Sequence, residues 1–170
     1  MRYSTLAAGL SVLWTTLFMS LVPACSRGCV RSCDLDPVES DLRHFLKQRE
    51  DMADQRRGLL ARMKEFDDKV FVNQEAAADL LRADLVARAD AFAKRYGHMT
   101  VKSRSVKRVY RKELAGYRTL ARAYHILLDG LSTRNSAKIR KGLRLKDQGT
   151  RQMKGAALAL QKLERKFRKR

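Results

Sequence analysis

The chain has 170 residues, a formal net charge of +19 and 37 lysines and arginines against 18 acidic residues. About 145 residues follow an apolar N-terminal segment, which is enough for one domain with a modest core and excludes two full domains. So strong an excess of cations points to an anionic partner. Because no proline follows Pro37, long uninterrupted helices are permitted, and we predict an all-α fold.

The N-terminal segment has the pattern of an export signal. Arg2 precedes an apolar run, residues 6–22, that is followed by Pro, Ala and Cys25. Signal peptides combine such a charged start, an apolar stretch and small residues before the cleavage site. We therefore expect residues 1–24 to be removed and residues 25–36 to form a tether. An uncleaved membrane anchor is the alternative, because 17 residues reach the lower limit of about 17 for a spanning helix.

The four residues Val22-Pro23-Ala24-Cys25 resemble the lipobox of bacterial lipoprotein precursors. This resemblance implies that the Cys25 sulfur carries a diacylglyceryl group and its amine a further acyl chain. It also implies a lipid-anchored protein of the cell envelope, on the outer membrane or the periplasmic face of the inner membrane.

The two other cysteines, Cys29 and Cys33, form an even pair if Cys25 is lipidated. In an oxidising compartment they could close a small disulfide loop. Structural zinc needs four ligands, and three thiols without a nearby histidine leave one position empty. We expect no metal and no cofactor.

The first predicted helix begins at Pro37, with Asp36 as its N-cap. A heptad stripe then runs through about 33 residues and is interrupted only by Arg49 and Arg56. Its apolar members are Val38, Leu42, Phe45, Met52, Leu59, Met63, Phe66 and Val70. Asn73 is a candidate cap for a second helix that ends at Gly97 in a left-handed cap. The two helices could equally be one long rod, because no strong breaker separates them.

The last two predicted helices form a hairpin, at about 104–168. The third helix carries tyrosines 110, 117 and 124 on its apolar stripe, and residues 132–136 are the turn. Small residues recur every seven positions: Gly116, Ala123 and Gly130 in the third helix, and Gly142, Gly149 and Ala156 in the fourth. Folding about Ser136 would pair Gly130 with Gly142, Ala123 with Gly149 and Gly116 with Ala156.

We therefore predict a helical bundle over residues 37–170, built from three or four long antiparallel helices with coiled-coil-like packing. The charge divides within it. Residues 34–99 hold 12 cations and 14 acids, whereas residues 100–170 hold 22 cations and only 4 acids.

The basic half is the predicted site for a polyanion. In the envelope this would be phospholipid headgroups or an anionic polymer, and if the leader were not used for export it would be nucleic acid. The residues we expect to bind it are Lys138, Arg140, Lys141, Arg144, Arg165, Lys166, Arg168, Lys169 and Arg170.

No catalytic constellation is present in the sequence, so we do not expect an enzyme. His44 with Asp41, and His125 with Asp129 and Arg122, are best interpreted as solvated surface pairs. There is no phosphate-binding glycine loop, nucleophile elbow or HExxH motif.

Two non-enzymatic functions fit this pattern. One is an envelope scaffold or adaptor that uses its heptad stripes for self-association or for partner helices. The other is a periplasmic holdase that would bind client chains through exposed Met52, Met63 and Phe66.

Overall fold

The computed structural model describes residues 36–168. Between these residues the chain is helical and contains no strand, so the all-α prediction is confirmed for this range. The helices are α1 (Pro37–Glu50), α2 (Ala53–Lys69), α3 (Gln74–Leu80), α4 (Val86–Tyr96), α5 (Arg104–Ser132) and α6 (Ser136–Arg168), and a π-helical turn (Leu81–Leu85) joins α3 to α4. The predicted signal peptide, the lipidation of Cys25 and the pairing of Cys29 with Cys33 lie outside the described residues.

Two predicted caps fix the starts of α1 and α3. Asp36 Oδ1 accepts a hydrogen bond from Val38 N at 2.9 Å, with Pro37 at the first helical position. Asn73 Oδ1 accepts from Ala76 N at 3.0 Å. Both side chains supply an acceptor to a backbone N–H that has no partner within its helix.

The prediction of one helix through Val70 is wrong, because α1 ends at Glu50 and α2 begins at Ala53. At this break Met52 N donates to Arg49 O at 3.3 Å, a bond that spans three residues instead of the four of an α-helix. The Met52 side chain is buried beneath the break. No glycine or proline marks the position, so the sequence pattern did not show it.

Contacts between distant residues give the direction of each segment. Helices α1 and α2 run alongside α5 in the same direction, because Arg49 pairs with Glu113 and Phe66 packs on Tyr124. Helices α3 and α4 run in the opposite direction: Asp90 near the middle of α4 contacts His125, while Gly97 after α4 contacts Tyr110.

These directions define two ends of the bundle. The base end holds Asp36, the loop 97–103 and the last turns of α6, since Asp41 of α1 binds the backbone of Lys102 and Ser103. The tip end holds the turn 70–73 and the turn 133–135.

Helices α5 and α6 pack through small residues that receive large ones. A Cβ added at Gly142 would lie 2.5 Å from Leu127 Cγ, and one added at Gly149 would lie 2.9 Å from Leu120 Cγ. In the other direction, Met153 packs on Gly116 and Ile139 on Gly130. Glycine therefore lets the two backbones approach closely along the whole contact.

The predicted glycine partners are wrong by three residues. The observed contacts are centred between Arg134 and Asn135 instead of on Ser136, so each glycine meets a large side chain, while Gly116 and Gly149 also contact each other's backbone. The tight turn is the cause. Arg134 takes a left-handed conformation with φ 51°, and the Asn135 side chain accepts hydrogen bonds from Ala137 N and Lys138 N.

The core lies between α5 and the four preceding helices. Tyr117 and Tyr124 are fully buried there, and Tyr110 is half-buried with its hydroxyl donating to Gly97 O at 2.9 Å. The left-handed cap predicted at Gly97 is wrong, because its φ is −65°.

Candidate anionic-partner surface

The structure divides the predicted binding residues into two groups along α6. Lys138, Arg140, Lys141 and Arg144 lie near the tip end, whereas Arg165, Lys166 and Arg168 lie at the base end; Lys169 and Arg170 are outside the described residues. Lys141 and Arg165 are separated by 24 residues, or about 36 Å of helix. The predicted set is therefore not a single patch.

Cations of α5 that the sequence analysis did not single out lie at the base end. Arg104, Lys107, Arg108 and Arg111 are exposed and line a shallow groove in the surface. Gly116 contacts Met153, and twelve residues farther toward the base lie Arg104 on α5 and Arg165 on α6, so these two cations are at the same level.

One signal in the sequence could have identified the α5 group. Positive charge is unfavourable at a helix N-terminus, and like charges three or four residues apart repel. Helix α5 nevertheless begins with four cations at such spacings and has no acidic residue in its first turn. Because these cations lower the stability of the start of α5, their presence indicates a role other than stabilising the helix.

Rows of arginine also follow the faces of the hairpin that point away from the contact between α5 and α6. On α5, Arg104, Arg111 and Arg118 recur every seven residues and are exposed. On α6, Arg144, Arg151 and Arg165 belong to the corresponding row, in which Leu158 is the fourth member and is 60 % exposed. Seven residues span about 10.5 Å of helix, so each row presents charge along its length.

Few carboxylates neutralise these cations. Of the four acids after residue 99, Glu113 is buried against Arg49, and Asp129 pairs with Lys138 at 2.7 Å. The other two are Asp147, which is exposed, and Glu164, which is half-buried. Asp67 of α2 additionally contacts Lys146. Within residues 36–168 the arginine rows have no ion pairs.

The surface of α1 to α4 differs in this respect, because most of its arginines are paired. Arg43 contacts Glu39, Arg82 contacts Asp79, and Arg88 contacts Asp84, at 2.7 to 2.9 Å. The hairpin is thus the face on which positive charge is left to solvent and to external anions.

Comparison of the chain with protein-family models, curated proteins and solved structures finds no match.

A second concentration of charged and polar groups lies inside the bundle. Glu113 is 2 % exposed and accepts hydrogen bonds from Arg49 at 3.0 Å, from Tyr96 at 2.7 Å and from Tyr117 at 3.4 Å. Burial raises the pKa of the Tyr117 hydroxyl to about 12, with Glu113 adding to the rise and Arg56 and Arg49 opposing it. These groups satisfy one another and join α1, α4 and α5.

Asp41 is buried, so its interpretation as a solvated surface pair with His44 is wrong. Its two carboxylate oxygens accept from Lys102 N at 3.0 Å and Ser103 N at 2.8 Å. Burial alone would raise the Asp41 pKa, but these hydrogen bonds and nearby His44 hold it below its ordinary value. Asp41 therefore anchors the loop that leads into α5.

His125 does form a surface pair, with a different partner from those predicted. Its Nε2 lies 2.7 Å from Asp90 Oδ2 on α4, and both side chains are about half exposed. Asp129, the predicted partner, binds Lys138 instead. Within residues 36–168, no three histidine, cysteine, aspartate or glutamate side chains are grouped so as to hold a metal ion.

The apolar residues expected to be exposed for client binding are buried. Met52, Met63 and Phe66 are 5 %, 9 % and 0 % exposed, and they belong to the single core. Most of the heptad stripe of α1 and α2 is buried in the same core. The large apolar side chains that are exposed in residues 36–168 are Leu60, Phe71, Val72 and Leu158. No helix in this range combines the length and apolarity that a membrane span requires.

Proposed function

We propose that this chain is a lipid-anchored scaffold or adaptor of the cell envelope, and that its basic C-terminal hairpin binds an anionic surface or polymer. The observation that carries the proposal is the pair of arginine rows on α5 and α6, which are exposed and without ion pairs in the described range. Cations spaced along about 50 Å of α6 suit an extended anionic surface better than a small ligand.

The anchor in this proposal depends on the resemblance of residues 22–25 to a lipobox. A single acyl chain binds membranes weakly, and a basic patch adds electrostatic attraction, so lipid and hairpin would act together. The coiled-coil-like packing of α5 against α6 is part of the same proposal, because a stiff pair of helices holds the arginine rows in line.

Nucleic acid is the alternative partner, since phosphates along a duplex attract the same cations. It would become the leading partner if the leader were not used for export. The holdase alternative has lost its structural basis, because Met52, Met63 and Phe66 are buried.

The test is the binding of the full chain to anionic and neutral phospholipid vesicles and to duplex DNA. A hairpin variant would carry Arg104→Gln, Arg111→Gln, Arg118→Gln and Arg165→Gln, all exposed members of the two arginine rows. A matched control would carry Arg43→Gln, Arg57→Gln, Arg62→Gln and Arg88→Gln, which remove the same charge from paired arginines of α1 to α4.

We expect the anionic-lipid component of binding to fall in the hairpin variant and to persist in the control, because each cation near an anionic surface contributes about 1 kcal/mol. It should also weaken between about 0.1 M and about 1 M salt, where the Debye length falls from about 10 Å to about 3 Å. Equal effects of the two variants, or tighter binding to DNA than to anionic vesicles at the same salt, would contradict the proposal.

A further inference from the structure

The base end of the bundle brings together three features that are far apart in the sequence. They are the start of the described chain at Asp36, the first turns of α5 and the last turns of α6. The exposed cations that α5, α6 and the loop before α5 place at this end are Lys102, Arg104, Lys107, Arg108, Arg111, Lys112, Lys162, Arg165, Lys166 and Arg168.

The acids at the base end do little to offset this charge. Asp36 caps α1 by accepting from Val38 N, Glu39 is engaged with Arg43 at 2.7 Å, and both oxygens of buried Asp41 accept backbone hydrogen bonds. Glu164 is half-buried on α6. The base end is therefore strongly positive over two adjacent helices.

The length of the tether determines what this end can reach. Asp36 lies eleven residues after Cys25, and an extended chain spans at most about 3.6 Å per residue, or about 40 Å in all. The tip end lies a further helix length away, about 50 Å for the 33 residues of α6. A chain of this length allows the base end, which carries Asp36, to contact a surface that holds Cys25.

We infer that the base-end cations bind the anionic phospholipid headgroups of the same membrane to which the chain is anchored. This inference rests on the proposed function and specifies its partner and its location on the bundle. Headgroup phosphates need no shaped pocket, so exposed lysines and arginines on two adjacent helices suffice to bind them. The tip end, with Arg134, Arg140 and Lys141, then faces away from the bilayer.

Lysine footprinting with an amine-reactive ester tests this arrangement on the full chain reconstituted into vesicles. The reporters at the base end are Lys107 and Lys162, and those toward the tip are Lys64 and Lys141; all four side chains are exposed. We expect phosphatidylglycerol in the vesicles to reduce the reactivity of the base lysines several-fold compared with pure phosphatidylcholine. The tip lysines should react equally in both.

Two arginine variants make the assignment specific while leaving the lysine reporters in place. Arg104→Gln, Arg108→Gln, Arg165→Gln and Arg168→Gln should abolish the protection of Lys107 and Lys162. The same charge change toward the tip, in Arg122→Gln, Arg134→Gln, Arg140→Gln and Arg144→Gln, should leave it intact.

The outcomes distinguish failure of this inference from failure of the proposed function on which it rests. Protection of the tip lysines, or equal protection at both ends, would overturn the base-end inference while the hairpin still binds anionic lipid. The absence of any protection by anionic lipid, with no salt-sensitive vesicle binding, would overturn both.

Discussion

Arg49 Nη2 and Glu113 Oε1 lie 3.0 Å apart inside the bundle, with 16 % and 3 % of the two side chains exposed. Arg49 occupies a position in the heptad stripe where an apolar residue is expected, and Glu113 lies 64 residues later on α5. The pair explains why a charged residue interrupts the stripe. Glu113 also accepts from Tyr96 and Tyr117, so its charge is well solvated by protein groups.

Glu113→Gln should lower the free energy of unfolding by about 3 to 5 kcal/mol, because it leaves the Arg49 charge buried without its partner. Urea unfolding at neutral pH measures this. Glu39→Gln is the control, since it breaks a surface pair with Arg43 that should contribute at most about 1 kcal/mol. The double variant Arg49→Met, Glu113→Gln should be more stable than Glu113→Gln alone. A Glu113→Gln protein as stable as the Glu39→Gln control would refute this account.

Gly142→Ala should destabilise the hairpin, because its Cβ would lie 2.5 Å from Leu127 Cγ and 2.8 Å from Leu127 Cδ2. Overpacking of a core contact costs about 1 to 3 kcal/mol, which exceeds the gain of about 1 kcal/mol from replacing a helical glycine by alanine. Gly155→Ala on the same helix is the control, since its Cβ would meet only the flexible end of Lys112. Thermal unfolding should show opposite signs for the two changes. Equal stabilisation by both would mean that the helices do not pack as closely as described.

Several local features could be predicted from sequence because they depend on neighbouring residues. The caps at Asp36 and Asn73 and the turn at residues 132–136 each need only a few side chains of suitable chemistry. The role of Arg49 could not be predicted, because it depends on a residue of another helix. A single sequence does not pair positions 64 residues apart.

The candidate surface was predictable in charge but not in shape. The excess of cations after residue 99 is visible in the sequence, whereas the base-end cluster requires the register of α5 against α6. That register follows from the turn formed by the left-handed Arg134 and the cap at Asn135. The prediction placed the centre of this turn at Ser136, which is less than two residues from its observed position. So small a shift moved each glycine contact by about one helical turn.

Arg134→Gly should stabilise the protein by up to about 1 kcal/mol. The left-handed conformation costs a non-glycine residue about 1 to 2 kcal/mol, and glycine recovers much of this while losing more conformational entropy on folding. Arg134→Ala separates conformation from charge, because it removes the cation and keeps the strain. A larger gain in the urea midpoint for alanine than for glycine would contradict the assignment of strain to this turn.

Asp41→Asn should destabilise the protein by about 1 to 3 kcal/mol at neutral pH, because the carboxylate charge is lost and the asparagine NH2 cannot accept one of the two hydrogen bonds donated by Lys102 N and Ser103 N. The pKa of Asp41 is lower in the folded state than its ordinary value of about 3.9. The stabilisation is therefore present above about pH 4 and is lost as the pH falls through the lowered pKa.

Urea unfolding of wild type and Asp41→Asn at several pH values below 7 checks this. The difference in unfolding free energy should shrink as the solution becomes strongly acidic. Asp54→Asn, at a carboxylate that is 92 % exposed, should show little difference at any pH. A gap between wild type and Asp41→Asn that is unchanged at strongly acidic pH would exclude a role for the carboxylate charge.

The central claim, an envelope protein held by lipid at Cys25 and by cations at its hairpin, is tested most directly by intact mass and detergent partitioning of the protein from its native host, beside a Cys25→Ala variant. We expect wild type to begin at Cys25, to carry added acyl mass and to partition into detergent, and we expect the variant to lose the acyl mass. A full-length, unmodified and water-soluble wild-type protein would contradict the claim and make nucleic acid the leading partner for the arginine rows.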